Sequence, residues 1–238
     1  YVWLSAIENE LSEQEWAKQI RFQGADRVLS FQDFDYQGAG YGWGPSPADQ
    51  YVLNYAQEKY LNAVQQPLFF FMITQNSHYP WIPQPTFVDD WRTLNTVQPS
   101  SPTVDPEAID HQERRQNYMR AVDYQLRTLT DFILRNGDDN SLFILIGDHQ
   151  PPRVSRKSDG WATPIHIISK DGTLIKDFAD YGFVPGLQVQ SYETELHHEG
   201  IYSMLMRVLL KRYGSDPSAL PAYLPQGVKA EEVAVNGQ

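Results

Sequence analysis

One segment of this chain is an uninterrupted apolar run that ends in a carboxylate and an imidazole. Leu142–Ile146 (LFILI) is followed by Gly147, Asp148 and His149. A short continuous apolar run is typical of a strand buried on both faces of a sheet. Because ligands of open α/β sheets bind beyond the carboxyl ends of such strands, we expect Asp148 and His149 at the edge of a binding crevice.

A second apolar run ends in the same way. Residues 68–74 (LFFFMIT) lead through three polar residues to His78. If His78 faces the same crevice, it can donate a hydrogen bond to an anionic oxygen of a ligand. Alternatively, it is a loop histidine that packs on Tyr79 and Trp81.

The hydrophobic periodicity of the rest of the chain predicts an α/β sandwich of the two apolar runs and further elements. A helix between the two runs indicates a parallel crossover. Its apolar face is predicted to consist of Met119, Val122, Leu126, Leu129 and Ile133. We expect one domain over residues 1–238, with a weakly structured tail at 214–238. The further elements are strands at 27–31 and 163–169 and helices at 12–24, 46–66, 105–136 and 194–213.

Composition excludes several classes of function. The net charge is −11, and Arg153, Arg156 and Lys157 form the basic cluster, so a nucleic-acid surface is not expected. No apolar run approaches the roughly 20 residues that cross a bilayer. The absence of cysteine excludes disulfides and thiolate metal sites.

Other motifs favour structural interpretations. The glycine-rich segment 37–45 lacks the Lys-Ser/Thr of a phosphate-binding P-loop, and no G-x-S-x-G elbow is present. His111 and His166 lie within predicted elements and are interpreted as structural. The pair His197 and His198 precedes a helix, where surface placement is favoured over a ligand role or ion pairs with neighbouring glutamates.

Asp148 and His149 have two interpretations. Carboxylate and neutral imidazole are suitable ligands for zinc, manganese or related divalent ions, and adjacent residues at a strand end can turn toward one ion. Alternatively, the aspartate caps a loop and the histidine fills a hydrogen-bonding niche. Two ligands do not by themselves complete a metal site.

Taken together, these motifs resemble sulfatase-like proteins of the alkaline phosphatase superfamily, especially membrane-anchored lipoteichoic acid synthases and phosphoglycerol transferases. The resemblance covers roughly residues 24–213, and the Gly-Asp-His segment is its most specific part. The segments that carry it are 146–151 (IGDHQP), 154–155, 163–168 (TPIHII), 77–81 (SHYPW), and 43–44 with Asp49.

The resemblance implies a fold, a cofactor and site residues. It implies a three-layer α/β sandwich with a mostly parallel central sheet, incomplete at the amino terminus. Asp148 and His149 would be ligands of a divalent metal ion (Mn, Zn, Ca or Mg), and His78 would be a catalytic residue that contacts the transferred group. Trp81 is a further candidate for substrate binding.

The resemblance also implies an activity and a location. We expect a hydrolase or transferase acting on phosphate or sulfate esters of a small molecule, glycan or lipid headgroup, without nucleic-acid partners. Relatives are extracytoplasmic, in the periplasm or at the cell surface. They are tethered by amino-terminal membrane helices, so a membrane link is expected only through an upstream segment.

Two family features have no convincing counterpart. Glu8 is the candidate for the early acidic ligand, but no nucleophile segment follows it, and the Ser/Cys-x-Pro-x-Arg signature of true sulfatases is absent. Because the chain starts at Tyr1 and not at methionine, we expect the nucleophile upstream of it. The alternative is a non-catalytic α/β binding domain that keeps the fold without the chemistry.

Overall fold

The computed structural model describes residues 1–6, 13–97, 105–187, 196–216 and 218–229, excepting the side chains of residues 13, 14, 16, 19 and 23. Contacts between Cα atoms divide the chain into two compact units. Unit 1 comprises Tyr1–Asn136 and Pro151–Asp159, and unit 2 comprises Gly137–Gln150 and Gly160–Gln238. The single-domain assignment stays a prediction.

Unit 1 contains a parallel sheet. Its strands are β1 (Val2–Ser5), β2 (Arg27–Ser30) and β3 (Phe70–Met72), in the order β2-β1-β3. Leu4 of β1 pairs in register with Leu29 of β2, and both side chains are fully buried. The expected parallel pairing is therefore present, and β3 forms one edge of the described sheet.

Three α-helices belong to unit 1: α1 (Glu13–Gln23), α2 (Asp49–Lys59) and α3 (His111–Asn136). Helix α2 buries Val52 and Ala56 in the core beside the sheet. Helix α3 ends at Asn136 as predicted but begins at His111, later than the predicted start at 105. Of its predicted apolar face, Met119 and Leu126 are exposed and Val122, Leu129 and Ile133 are half-buried. The buried positions are Asn117, Ala121, Tyr124, Gln125, Thr128 and Phe132.

Unit 2 is built on an antiparallel pair of strands, β4 (Leu142–Ile146) and β5 (Ile165–Ser169). Leu142 lies opposite Ser169, and Ile146 lies opposite Ile165. In the described residues β4 therefore pairs antiparallel with the strand that follows it, and the parallel crossover into β4 stays a prediction. The full three-layer sandwich stays a prediction.

The described residues of unit 2 also form the helices α4 (Gly172–Asp177) and α5 (Ile201–Tyr213). Its core contains Leu174, Phe178, Met204 and Val208. Within the described ranges, none of the helices combines the length and the apolar character that a bilayer crossing requires.

The tail after α5 has no helix or strand in its described residues, 214–216 and 218–229. Hydrogen bonds nevertheless hold it against unit 2. The Ser203 hydroxyl accepts from the Leu224 amide at 3.0 Å, and the His197 amide donates to the Pro225 carbonyl at 2.8 Å. The tail prediction for residues 230–238 lies outside the described residues.

Candidate functional site

The loop that carries His78 is joined to the start of α2 by reciprocal hydrogen bonds. The Asp49 carboxylate accepts from the backbone amides of Gln75 and Asn76, each at 2.9 Å. The Asn76 side-chain oxygen in turn accepts from the Asp49 amide at 2.7 Å. All three residues are buried, and we call this arrangement the Asp49–Asn76 clasp.

Burial disfavours the ionised form of the Asp49 carboxyl. Desolvation raises the pKa of its carboxyl to about 7, although the amides of Asn76 and Gln75 act in the opposite direction by stabilising the charge. The fold keeps this carboxyl buried because it satisfies backbone donors that no water reaches. Asp49 is therefore a structural group of the His78 loop.

His78 lies two residues beyond the clasp. Its backbone amide donates to the Gln75 carbonyl at 3.1 Å, and its Nδ1 lies 2.6 Å from the Tyr79 carbonyl oxygen. Since a carbonyl only accepts, Nδ1 carries a proton. The imidazole also stacks on the half-exposed indole of Trp43, with ring centroids 4.6 Å apart. These contacts fix the orientation of the His78 ring.

Trp81 is a packing residue in this structure. Only 1% of its surface is exposed, and its Nε1 donates to the Ser77 carbonyl at 2.9 Å. Its indole contacts the rings of Tyr79 and Tyr118. This burial does not support the predicted substrate contact, because a ligand could not reach the ring without displacing the loop. Trp81 therefore stabilises the His78 loop by packing in the interior.

The predicted basic cluster is largely neutralised. Arg153 pairs with Glu107 and lies over the Tyr79 ring, and this guanidinium lowers the pKa of the Glu107 carboxyl. Arg156 pairs with Asp159 at 2.9 Å. Both arginines therefore have intramolecular carboxylate partners within unit 1.

Asp148 and His149 follow β4 in unit 2, where both side chains are exposed, at 70% and 54%. The His149 Nε2 lies 3.3 Å from the Asp148 Oδ2. The His149 Nδ1 lies 2.9 Å from the carbonyl oxygen of Gln150, to which it donates. The structure thus brings the two predicted ligands together on one turn.

This pair fits two ligands of a divalent ion. When Nδ1 of a neutral imidazole carries the proton, Nε2 is the ring atom that can bind a metal, and here it lies 3.3 Å from the Asp148 Oδ2. Ligands held at about 2.0–2.1 Å by a tetrahedral ion lie about 3.3 Å apart. Among the described residues, however, no group of three or more His, Cys, Asp or Glu could hold a metal.

Sequence reasoning missed a contact from His198 to this turn. Its Nε2 lies 2.9 Å from the carbonyl oxygen of Gly147, the residue that precedes Asp148. The side chain is exposed, as predicted, but it has a partner that no local sequence signal identifies. Gly147 and His198 are 51 positions apart.

The remaining candidates are distributed as follows. His78 and Trp81 lie in unit 1, whereas Asp148 and His149 lie in unit 2. Glu8 lies outside the described residues.

Comparison with known proteins gives one match. The family model described as Sulfatase matches residues 10–197, which is more than half of the chain and includes His78, Asp148 and His149. Neither the curated proteins nor the solved structures contain a protein that matches.

Proposed function

Because the chain belongs to the sulfatase family, we propose that it is a metal-dependent hydrolase or transferase of phosphate or sulfate esters. Sulfatase-family proteins act on sulfated or phosphorylated substrates, and they generally depend on a divalent metal. The finer proposal is an enzyme like the lipoteichoic acid synthases and phosphoglycerol transferases. It rests on the motif order at Trp43, His78 and Asp148.

The observation that carries the proposal is the Asp148–His149 pair. Its two acceptor atoms lie 3.3 Å apart on an exposed turn within the family match. We assign both residues as ligands of a divalent ion, although among the described residues no third His, Cys, Asp or Glu joins them. Such an ion, when bound, would activate a nucleophile and offset charge on the transferred group.

His78 is assigned as the residue that contacts the transferred phosphate or sulfate. Since its Nδ1 donates to the Tyr79 carbonyl, the ring can donate from Nε2 to an anionic oxygen only when both nitrogens carry protons. The clasp and the Trp43 stack orient the ring before a substrate arrives. Donors that are oriented in advance lose little free energy to reorganisation during a reaction.

An exposed aromatic side chain beside His78 supports a substrate with a ring or an amphipathic headgroup. Trp43 is 46% exposed and stacks on His78, so it replaces the buried Trp81 as the candidate stacking residue. A glycan or lipid headgroup carrying the ester is consistent with such a surface. We propose an extracytoplasmic location on the family resemblance alone.

The experiment measures metal binding and turnover in the intact protein. Titration calorimetry with Mn²⁺ and Zn²⁺ gives the affinity, and 4-nitrophenyl phosphate, bis(4-nitrophenyl) phosphate and 4-nitrophenyl sulfate report turnover. We expect Asp148→Ala to weaken metal binding by more than about 100-fold, since even indirect support of a ligand is worth about 10–100-fold. Turnover should fall with it.

Asp139→Ala is the matched control, because Asp139 is an exposed aspartate of the same unit. It should bind metal and turn over substrate like the wild type. If the wild type binds neither ion, or if Asp148→Ala binds as tightly as the control, the non-catalytic binding domain is the better assignment. The lack of a third donor among the described residues is the observation that favours that alternative.

A further inference from the structure

We propose that His198 is a positioning residue for the Asp148–His149 pair and acts through the backbone carbonyl of Gly147. The inference rests on the proposed function, because it concerns the same pair of ligands. It adds a residue that lies just beyond the family match at 10–197.

The contact determines the orientation of a peptide plane. The carbonyl oxygen of Gly147 accepts from His198 Nε2 at 2.9 Å. That carbonyl and the amide of Asp148 belong to one planar peptide unit. A hydrogen bond that holds the oxygen therefore also fixes the direction in which the Asp148 backbone leaves Gly147.

The other polar atom of Gly147 is held as well. Its amide donates to the carbonyl of Pro164 at 2.9 Å, which continues the pairing of β4 with β5. A Cβ built on Gly147 would lie 3.1 Å from both Pro164 and Thr163, so packing also restricts this residue. The turn that presents the two ligands is thus held at Gly147 from two sides, by the residues that precede β5 and by His198.

His198 can perform this role because its own backbone is anchored. It begins a short 3-10 turn, His198–Gly200, that leads into α5. The preceding amide, that of His197, donates to the Pro225 carbonyl at 2.8 Å. A Cβ on Gly200 would collide with that same carbonyl, so the tail packs closely against the turn. The exposed ring is therefore carried by a fixed segment.

A positioning role and a purely structural role of His198 predict different effects on metal affinity and on folding stability. An exposed hydrogen bond contributes little to folding, because water replaces the lost partner. Supporting contacts of metal ligands, in contrast, typically change metal affinity by about 10–100-fold when they are removed. Loss of the His198 ring should therefore weaken metal binding much more than it destabilises unit 2.

The test compares three variants by calorimetric titration with Mn²⁺ and Zn²⁺ and by thermal unfolding, using the intact protein. His198→Ala should lose about 10–100-fold in affinity with little change in Tm. His198→Gln should recover most of that affinity, because its side-chain N–H can occupy the place of the Nε2–H. His197→Ala should match the wild type, because the contact of His197 with Pro225 is made by its backbone.

Electron spin-echo spectroscopy of bound Mn²⁺ adds a readout that a purely structural role would not predict. We expect one imidazole on the ion in the wild type and also in His198→Gln. A second imidazole that is present in the wild type and lost in His198→Gln would make His198 a ligand and would overturn its role in positioning.

The outcomes distinguish this inference from the proposed function. If the wild type binds neither ion, or Asp148→Ala binds as well as the wild type, both fail. If Asp148→Ala loses the metal but His198→Ala binds like the wild type, only the role of His198 is wrong. Equal losses in His198→Ala and His197→Ala would also overturn it, because the turn and not the ring would then be responsible.

Discussion

The loop of His78 in unit 1 and the turn of Asp148 and His149 in unit 2 are held by different means. The His78 loop is stabilised by buried groups, namely the Asp49–Asn76 clasp and Trp81. The second is exposed and is held through the backbone of Gly147. The first loop is thus fixed by side chains in the interior, and the second by its own main chain.

The difference reflects the cost of burying charge. Asp49 shows that cost directly, because burial raises the pKa of its carboxyl to about 7 despite two amide donors. An exposed carboxylate such as Asp148 avoids desolvation and stays accessible to a cation. A ligand pair is therefore better positioned through its backbone than by burial of its side chains.

The strongest test of this contrast replaces one tryptophan in each unit. Trp81 is 1% exposed beneath the His78 loop, whereas Trp161 of unit 2 is 92% exposed. Trp81→Ala should destabilise the protein by about 3–5 kcal/mol, because it leaves a large cavity. Trp161→Ala should change the free energy of unfolding by less than about 0.5 kcal/mol. Urea denaturation measures both, and similar losses would break the contrast.

A second test asks how tightly the Gly147 turn is packed. Gly147→Ala should cost about 1–2 kcal/mol, because its new methyl group would lie 3.1 Å from Pro164 and Thr163. Gly172→Ala is the control in the same unit, since a Cβ there meets no atom within 4 Å. That control should be neutral or slightly stabilising. Denaturation midpoints that coincide for the two variants would show that backbone packing does not restrict the turn.

The smallest expected effect is a dependence of the free energy of unfolding on pH, caused by the Asp49 carboxyl of the clasp. Since the folded pKa of Asp49 is raised to about 7, above its unfolded value of 3.8, the folded protein takes up the proton first as the pH falls. The contribution of Asp49 to the free energy of unfolding should therefore rise by about 1 kcal/mol as the pH falls from about 8 to about 6. Conversely, it is lost as the pH rises through about 7.

Asp49→Asn isolates this contribution. The amide keeps an oxygen that can accept from the Gln75 and Asn76 backbones, but it does not titrate in this range. The difference in unfolding free energy between wild type and variant should change with pH in that window. A constant difference would mean that Asp49 does not titrate there.

The local hydrophobic pattern predicted where the main strands and helices lie along the chain. The two apolar runs contain β3 and β4, and the periodic segment 105–136 contains the long helix α3, which begins at His111. The pattern did not identify the buried face of α3. Tyr124 is buried there because its hydroxyl accepts from the Gln50 amide at the start of α2, whereas Met119 is exposed. Periodicity shows which residues share a face, but the neighbouring element decides which face is buried.

Local sequence is sufficient to place a carboxylate and an imidazole side by side where an apolar strand ends, because strand periodicity depends on backbone geometry. The order of the motifs is sufficient for the resemblance to the sulfatases. In contrast, the antiparallel pairing of β4 with β5, the burial of Trp81 and the hydrogen bond from His198 to Gly147 are visible only in the folded chain. Those contacts join residues that are distant along the chain, and their partners are selected by packing and by the need to satisfy backbone groups.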